Sequence, residues 1–160
     1  MTTQRANVHD TTERNPAARI RVAIAGATGF AGQELIRLLS RHPRVTIAAA
    51  TGSQATSAPR RLPSLDKIWD GTVVPLDPAA LDADAVFLAL PEAASAELAP
   101  VLLGRGMRVI DLSGAFRLRD HVQRMAFYPA TAVLPDGVAY GLTEFEFERS
   151  EEHTSELQSH

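Results

Sequence analysis

The stretch from Ile20 to Leu39 constrains this chain more than any other. An apolar run, Ile20 to Ala25, passes without a spacer into Gly26-Ala27-Thr28-Gly29-Phe30-Ala31-Gly32 and then into a segment of helical period. Strand, glycine turn and helix in that order make a β-α unit whose turn is tight because side chains are missing from it. In the helical part Ala31, Leu35, Leu38 and Leu39 fall on one apolar stripe, while Gln33, Glu34, Arg37 and Arg41 face away, and Pro43 ends the helix. The spacing G-x-x-G-x-x-G lets the backbone approach a pyrophosphate with no Cβ in the way, and open N–H groups at the helix start meet the phosphate oxygens. Three glycines alone are a weak signal. The strand before them and the amphipathic helix after them supply the context a dinucleotide site needs, against the reading of a glycine-rich turn that binds nothing.

The chain continues in the same style. Val45 to Ala50 is a second strand, and Thr51 to Gly71 is a long polar stretch with Pro59 and Pro63. Thr72 to Leu76 is a third strand, and Ala85 to Leu90 is a fourth whose unbroken apolarity suits burial on both faces of a parallel sheet. Pro91 at a first helical position opens a second helix, with Ala94, Leu98, Val101 and Leu102 on its apolar stripe, Pro100 as a kink and Gly104 near its end. Met107 to Leu112 is a fifth strand. Strands alternating with helices predict a doubly wound, mostly parallel α/β sheet of Rossmann-like form with right-handed crossovers.

Composition narrows the chemistry. The 160 residues include no cysteine, which removes disulfide scaffolds, zinc ribbons, iron–sulfur sites and cysteine nucleophiles from what this chain can itself supply. With 45% hydrophobic and 22% charged residues the chain can bury a core. A net charge of -3 gives no general field for drawing in nucleic acid or anionic lipid. No run approaches the roughly 18 apolar residues of a membrane span, and Met1 to Ala18 lacks the apolar core of a secretory signal. A cytoplasmic protein with neither nucleic-acid nor membrane partners is expected. Residues 1–18 have no helical or strand period and read as a flexible extension.

The second strand also speaks to the choice of dinucleotide. NAD sites of this kind place an Asp or Glu at its end for the ribose 2′-hydroxyl. From Val45 through Leu65 there is no acid; the strand runs into Thr51-Gly52-Ser53, with Arg60 and Arg61 farther along the loop. Hydroxyl and guanidinium groups suit a 2′-phosphate, so NADP(H) is the expected cofactor, with Ser53, Arg60 and Arg61 as its candidate contacts. For the two arginines a solvated loop pair is the competing reading.

Catalytic groups are scarce. Short-chain dehydrogenases share the Gly-Ala-Thr-Gly turn but need a Tyr followed four residues later by a Lys; here the one lysine, Lys67, precedes both Tyr128 and Tyr140. The histidines show no convergent partners.

Four blocks carry a family resemblance: Val22-Ala-Ile-Ala-Gly-Ala-Thr-Gly-Phe-Ala-Gly-Gln-Glu-Leu35, Val86-Phe-Leu-Ala-Leu-Pro91, Val109-Ile-Asp-Leu-Ser-Gly-Ala-Phe-Arg-Leu-Arg-Asp120 and Tyr140-Gly-Leu-Thr-Glu144. In that order they closely resemble N-acetyl-gamma-glutamyl-phosphate reductase, from about Arg19 to Glu148. The departures are Glu92-Ala93 where many relatives have His-Gly, and Ala115 where they have Asp. The resemblance implies NADPH-dependent reduction of N-acetyl-glutamyl 5-phosphate to the semialdehyde in arginine biosynthesis, through a cysteine thioacyl intermediate and a histidine that handles protons. Both residues belong to the family's substrate domain, beyond the Tyr-Gly-Leu block, so this chain is expected to be inactive by itself and the longer enzyme to be a homo-oligomer. Carried onto this sequence, the turn of Gly26, Ala27, Thr28, Gly29, Phe30, Ala31 and Gly32 cradles the pyrophosphate. Leu90 and Pro91 border the nicotinamide ribose, Ser113 sits at the strand edge where the cofactor lies, and Arg117 takes the substrate phosphate. An ion pair of Arg117 with Asp111 or Asp120 is the competing reading. A fragment of aspartate-semialdehyde dehydrogenase and a non-catalytic NADP-binding sensor are the alternatives for the whole.

Residues 149–160 break the composition and resemble one reading frame of a common sequencing-library adapter. They are expected to be an artefactual tail behind a cofactor domain of residues 19–148, with the substrate domain missing or only begun within 125–148.

Overall fold

A computed structural model of the protein describes residues 19–52, 58–131 and 133–141. Five parallel strands form one sheet: β1 (Ile20–Ala25), β2 (Val45–Gly52), β3 (Val73–Pro75), β4 (Ala85–Leu88) and β5 (Arg108–Asp111), in the order β3-β2-β1-β4-β5. That is the doubly wound order, in which the chain goes outward from β1 on one side and returns to start again beside it with β4. Ile20 stands opposite Val45 and Ala25 opposite Thr51 on one flank of β1; Val22 pairs with Ala85 and Ala25 with Leu88 on the other.

The alternation of β1 divides the core. Ala23 and Ala25 face a cluster with Leu88 of β4 and with Leu98, Ala99 and Leu102 of α2 (Glu92–Gly104). Ile24 faces the opposite cluster, with Ile36 of α1 (Phe30–Leu39), Ala50 and Val73. Each helix thus covers one face, and β4, buried on both, has Ala85, Val86 and Leu88 out of water. Burial on this pattern is the main favourable term in such a domain.

Several boundaries and faces differ from the sequence pattern. The strand β2 runs two residues past Ala50, because the Thr51 carbonyl is drawn into the glycine turn, accepting from Gly26 N–H at 2.9 Å and Ala27 N–H at 2.8 Å. By contrast β4 ends at Leu88 rather than Leu90, and β5 spans less than Met107 to Leu112. The buried stripe of α1 is centred on Ile36 and Gly32; Ala31 and Leu38, predicted to face the core, are exposed. In α2 the buried residues are Ser95, Leu98, Ala99 and Leu102, and Val101 is 50% exposed. The helix α2 is capped by Pro91 instead of beginning with it, and Pro100 lies inside it without ending it. A third helix, α3 (His121–Phe127), was not anticipated; Asp120 caps it by accepting Gln123 N–H at 2.8 Å. No helix among the described residues is long and apolar enough to cross a membrane.

The rotated stripe of α1 is directly measurable. Ile36→Ala is expected to lower the unfolding free energy by about 2 to 5 kcal/mol, and Leu38→Ala by less than about 1 kcal/mol, in urea titrations of the full chain. The reverse order would place Leu38 in the core.

Candidate functional site at the carboxyl edge of the sheet

The crevice of a doubly wound sheet lies where neighbouring strands send their connections to opposite faces, here between β1 and β4. The glycine turn leaves β1 at that point. Gly26 has φ +91, and a Cβ there would stand 2.1 Å from the Ala89 carbonyl oxygen at the end of β4. At Gly32 a Cβ would meet the Gly26 carbonyl oxygen at 2.2 Å, so that glycine lets α1 rest directly on the turn. Gly29 differs from both. Its Cβ would meet only the Gly26 oxygen, at an ordinary 3.5 Å, so the open side of the turn lies there.

Gly29 is also the N-cap of α1, with no side chain capping it. The first helical bond is Gln33 N–H to Gly29 O at 3.0 Å, which leaves the amides of Phe30, Ala31 and Gly32 as the open donors of the helix start. No acid occupies the first turn. The next acid, Glu34, is hydrogen-bonded by Arg37, which holds its carboxyl below the usual carboxylate range. The arrangement fits a dinucleotide pyrophosphate: open amides, the positive end of a helix and a glycine whose missing Cβ leaves the approach clear.

Around the turn, Ala27 is fully buried and Thr28 half-buried, while Phe30 is 97% exposed and Ala31 exposed. Leu90 is half-buried beside Gly26, and Pro91 is exposed at the start of α2. Sequence-distant Gly26 and Ala89-Leu90 therefore meet at one point. Ser53 lies outside the described residues.

The loop after β2 is a built structure. Arg60 pairs with Val73 through two backbone bonds of 2.9 and 2.8 Å, and Leu65, 3% exposed, enters the core beside Ile36. Arg61 donates to the Asp70 carbonyl at 2.9 Å and lies 3.7 Å from its carboxylate, whereas Arg60 is exposed and enters no ion pair among the described residues. Two residues that sequence reasoning did not single out bind this loop to the glycine turn. Gln33 Nε2–H donates to Thr28 O at 2.9 Å, and the Ser64 hydroxyl donates to Gln33 Oε1.

At the end of β5, the Asp111 carboxylate accepts Ser113 N–H at 3.1 Å and Ser113 Oγ–H at 2.8 Å, and Ser113 Oγ accepts Ala115 N–H at 3.1 Å. The Ser113 hydroxyl thus gives its proton and one acceptor pair to shaping its own turn. Asp111 and Asp120 are both engaged with backbone amides, and neither pairs with Arg117. The Arg117 guanidinium stands 6.0 Å from the centroid of the Tyr140 ring, in a cleft of about 300 Å³ shared with Asp111, Ser113 and Phe116. Arg124, 6% exposed and not singled out by the sequence pattern, holds the segment after this turn through the carbonyls of Leu118, Arg119 and Thr131 at 2.8 to 3.0 Å. The Asp120-x-x-Gln123 spacing is the sequence cue that announces its helix.

The profile of the family described as "Semialdehyde dehydrogenase, NAD binding domain" matches residues 21–153. The chain belongs to this family. It is 38% identical over 137 residues to N-acetyl-gamma-glutamyl-phosphate reductase of Brevibacillus brevis, covering 81% of this chain and 40% of that protein. It is 42% identical over 132 residues to the protein of the same name from Neisseria meningitidis serogroup C, covering 79% and 38%. The chain therefore spans about 40% of the length of the curated relatives it matches. In fold it resembles aspartate semialdehyde dehydrogenase with NADP from Candida albicans, with TM-score 0.54 and 23% identity over 65% of this chain and 32% of that one. The Vibrio cholerae aspartate semialdehyde dehydrogenase II complexed with ASA gives TM-score 0.50 and 25% identity, over 63% and 30%. Family and turn geometry together support a nicotinamide dinucleotide as the cofactor.

Gly26 and Gly29 are expected to fail differently when replaced. Gly26→Ala loses about 2 kcal/mol of stability or more, from backbone strain and collision with Ala89. Gly29→Ser preserves the melting transition, because serine is a favoured N-cap, yet weakens dinucleotide binding about tenfold by crowding the open amides. Thermal unfolding and calorimetric titration read the two effects separately.

Proposed function

We propose that this chain is the NADP(H)-binding part of an N-acetyl-gamma-glutamyl-phosphate reductase, an enzyme that reduces an acyl phosphate to a semialdehyde with release of phosphate. The observation that carries the reading is the agreement of about 40% identity to proteins of that name over about four fifths of the chain with a fitting pyrophosphate turn. The likeness to aspartate semialdehyde dehydrogenases is weaker in sequence and lies at the level of fold.

When bound, the cofactor supplies a hydride to the acyl carbon. The chain's own contribution is binding and orientation. Open amides at the start of α1 hold the pyrophosphate, Gly29 leaves the approach clear, and Leu90-Pro91 borders the nicotinamide ribose from the neighbouring strand end. Preference for the 2′-phosphate follows from the lack of any acid between Val45 and Leu65 and from Arg60, whose guanidinium is free of ion pairs among the described residues. Arg61, tied to Asp70, is a poorer candidate than the sequence pattern suggests. Arg117 would take the substrate phosphate from its cleft, because the neighbouring carboxylates are already engaged and a guanidinium fork matches phosphate oxygens.

The chain contains no cysteine, so a thioacyl intermediate cannot form on its residues. NADPH is expected to bind more tightly than NADH, with no reduction of an acyl phosphate by the isolated chain. Arg60→Ala should lower NADPH affinity by about tenfold or more while leaving NADH nearly unaffected, since a hydrogen bond to a charged group contributes about 1.5 to 3 kcal/mol. Equal affinity for the two dinucleotides, or turnover by this chain, would overturn the proposal.

A further inference from the structure

Gln33 faces neither the core nor open water. Its amide bridges two segments that are remote in sequence and chemically distinct: the Thr28 carbonyl within the glycine turn, and the Ser64 hydroxyl in the loop that carries Arg60. The bridge uses both ends of the amide in complementary senses, with Nε2–H donating and Oε1 accepting. Among the described residues the loop is also anchored by Leu65, Leu62 and Trp69 at the core, by the Arg60–Val73 bridge at β3 and by Arg61 on Asp70. Its backbone is tightly wound after Ser64. Ile68 and Trp69 N–H both donate to Leu65 O, and Lys67 takes a left-handed φ of 62. These bonds join Ser64 to its neighbours on both sides, since Leu65 N–H also donates to Leu62 O at 3.0 Å and Asp66 N–H to Pro63 O at 3.2 Å.

We propose that Ser64 is a positioning residue for cofactor selectivity. Its bond to Gln33 fixes the loop of residues 58–71 at a set distance from the pyrophosphate turn, so that the loop's cationic side meets the adenosine 2′-phosphate. The inference rests on the NADP(H) reading above. The covalent link between the pyrophosphate and the 2′-phosphate of one dinucleotide limits their separation, so a site that reads both must hold its two anion-binding parts in register. Gln33 supplies that register through a side chain that itself need touch neither phosphate. A bond of this kind acts on the NADPH-to-NADH ratio. NADH lacks the group the loop would meet.

The test uses the full chain and compares Ser64→Ala with Ser64→Thr. Ser64→Ala removes the hydroxyl; Ser64→Thr keeps it. Calorimetric titration with NADPH and with NADH should show the alanine variant losing about three- to tenfold in NADPH affinity, from one lost hydrogen bond, with NADH affinity unchanged. The threonine variant should restore the ratio. Amide hydrogen exchange without cofactor gives an independent reading: residues 62–69 should exchange faster in Ser64→Ala and as in the parent in Ser64→Thr. A parent chain that binds both dinucleotides equally would overturn this inference together with the NADP(H) reading. A parent that prefers NADPH, with Ser64→Ala keeping that preference, would overturn this inference alone.

Discussion

The contact on which the cofactor edge depends is between two stretches of backbone, the first residue of the glycine turn and the end of β4. Gly26 approaches the Ala89 carbonyl so closely that no side chain fits, while its own N–H reaches the other way to Thr51 on β2. One glycine thereby joins the ends of three adjacent strands. Because β1 sends its connection to one face of the sheet and β4 to the other, this junction is also where the crevice opens. The turn, the start of α1 and the Leu90-Pro91 segment acquire a common orientation from it.

Outside the sheet, the site is shaped by side chains that bind backbone. Asp111 folds the Ser113 turn, Arg124 gathers three carbonyls after it, and Gln33 with Ser64 ties the loop after β2 to the glycine turn. Irregular segments must find partners for their polar backbone groups, and here a few long polar side chains provide them. Arg124 is the clearest case: a guanidinium removed from water and satisfied by the carbonyls of Leu118, Arg119 and Thr131.

Elements with a local cause were readable from the chain alone. Ile20–Ala25 appears as predicted because an apolar run bounded by glycine has few other uses, and the glycine spacing announced what followed it. Elements that depend on neighbours were displaced. Leu38 scores as core by period, yet Gly32 allows α1 to sit so close to the turn that the buried line shifts to Ile36. Val101 is exposed for a related reason, since α2 meets the sheet along Ser95, Leu98, Ala99 and Leu102. The seven-residue α3 carries no strong apolar period and is signalled only by its cap.

The sequence by itself determined the doubly wound architecture, the glycine turn and the lack of an acid at the end of β2, because each rests on residue type at short range. Tertiary structure alone decided which of the candidate arginines stay out of ion pairs among the described residues. Arg61 and Arg124 are indistinguishable from Arg60 and Arg117 along the chain, but the first meets Asp70 and the second meets three carbonyls once the loops have folded. Charge and geometry of a side chain are properties of the residue, whereas its availability depends on which backbone groups the fold leaves in need of a donor.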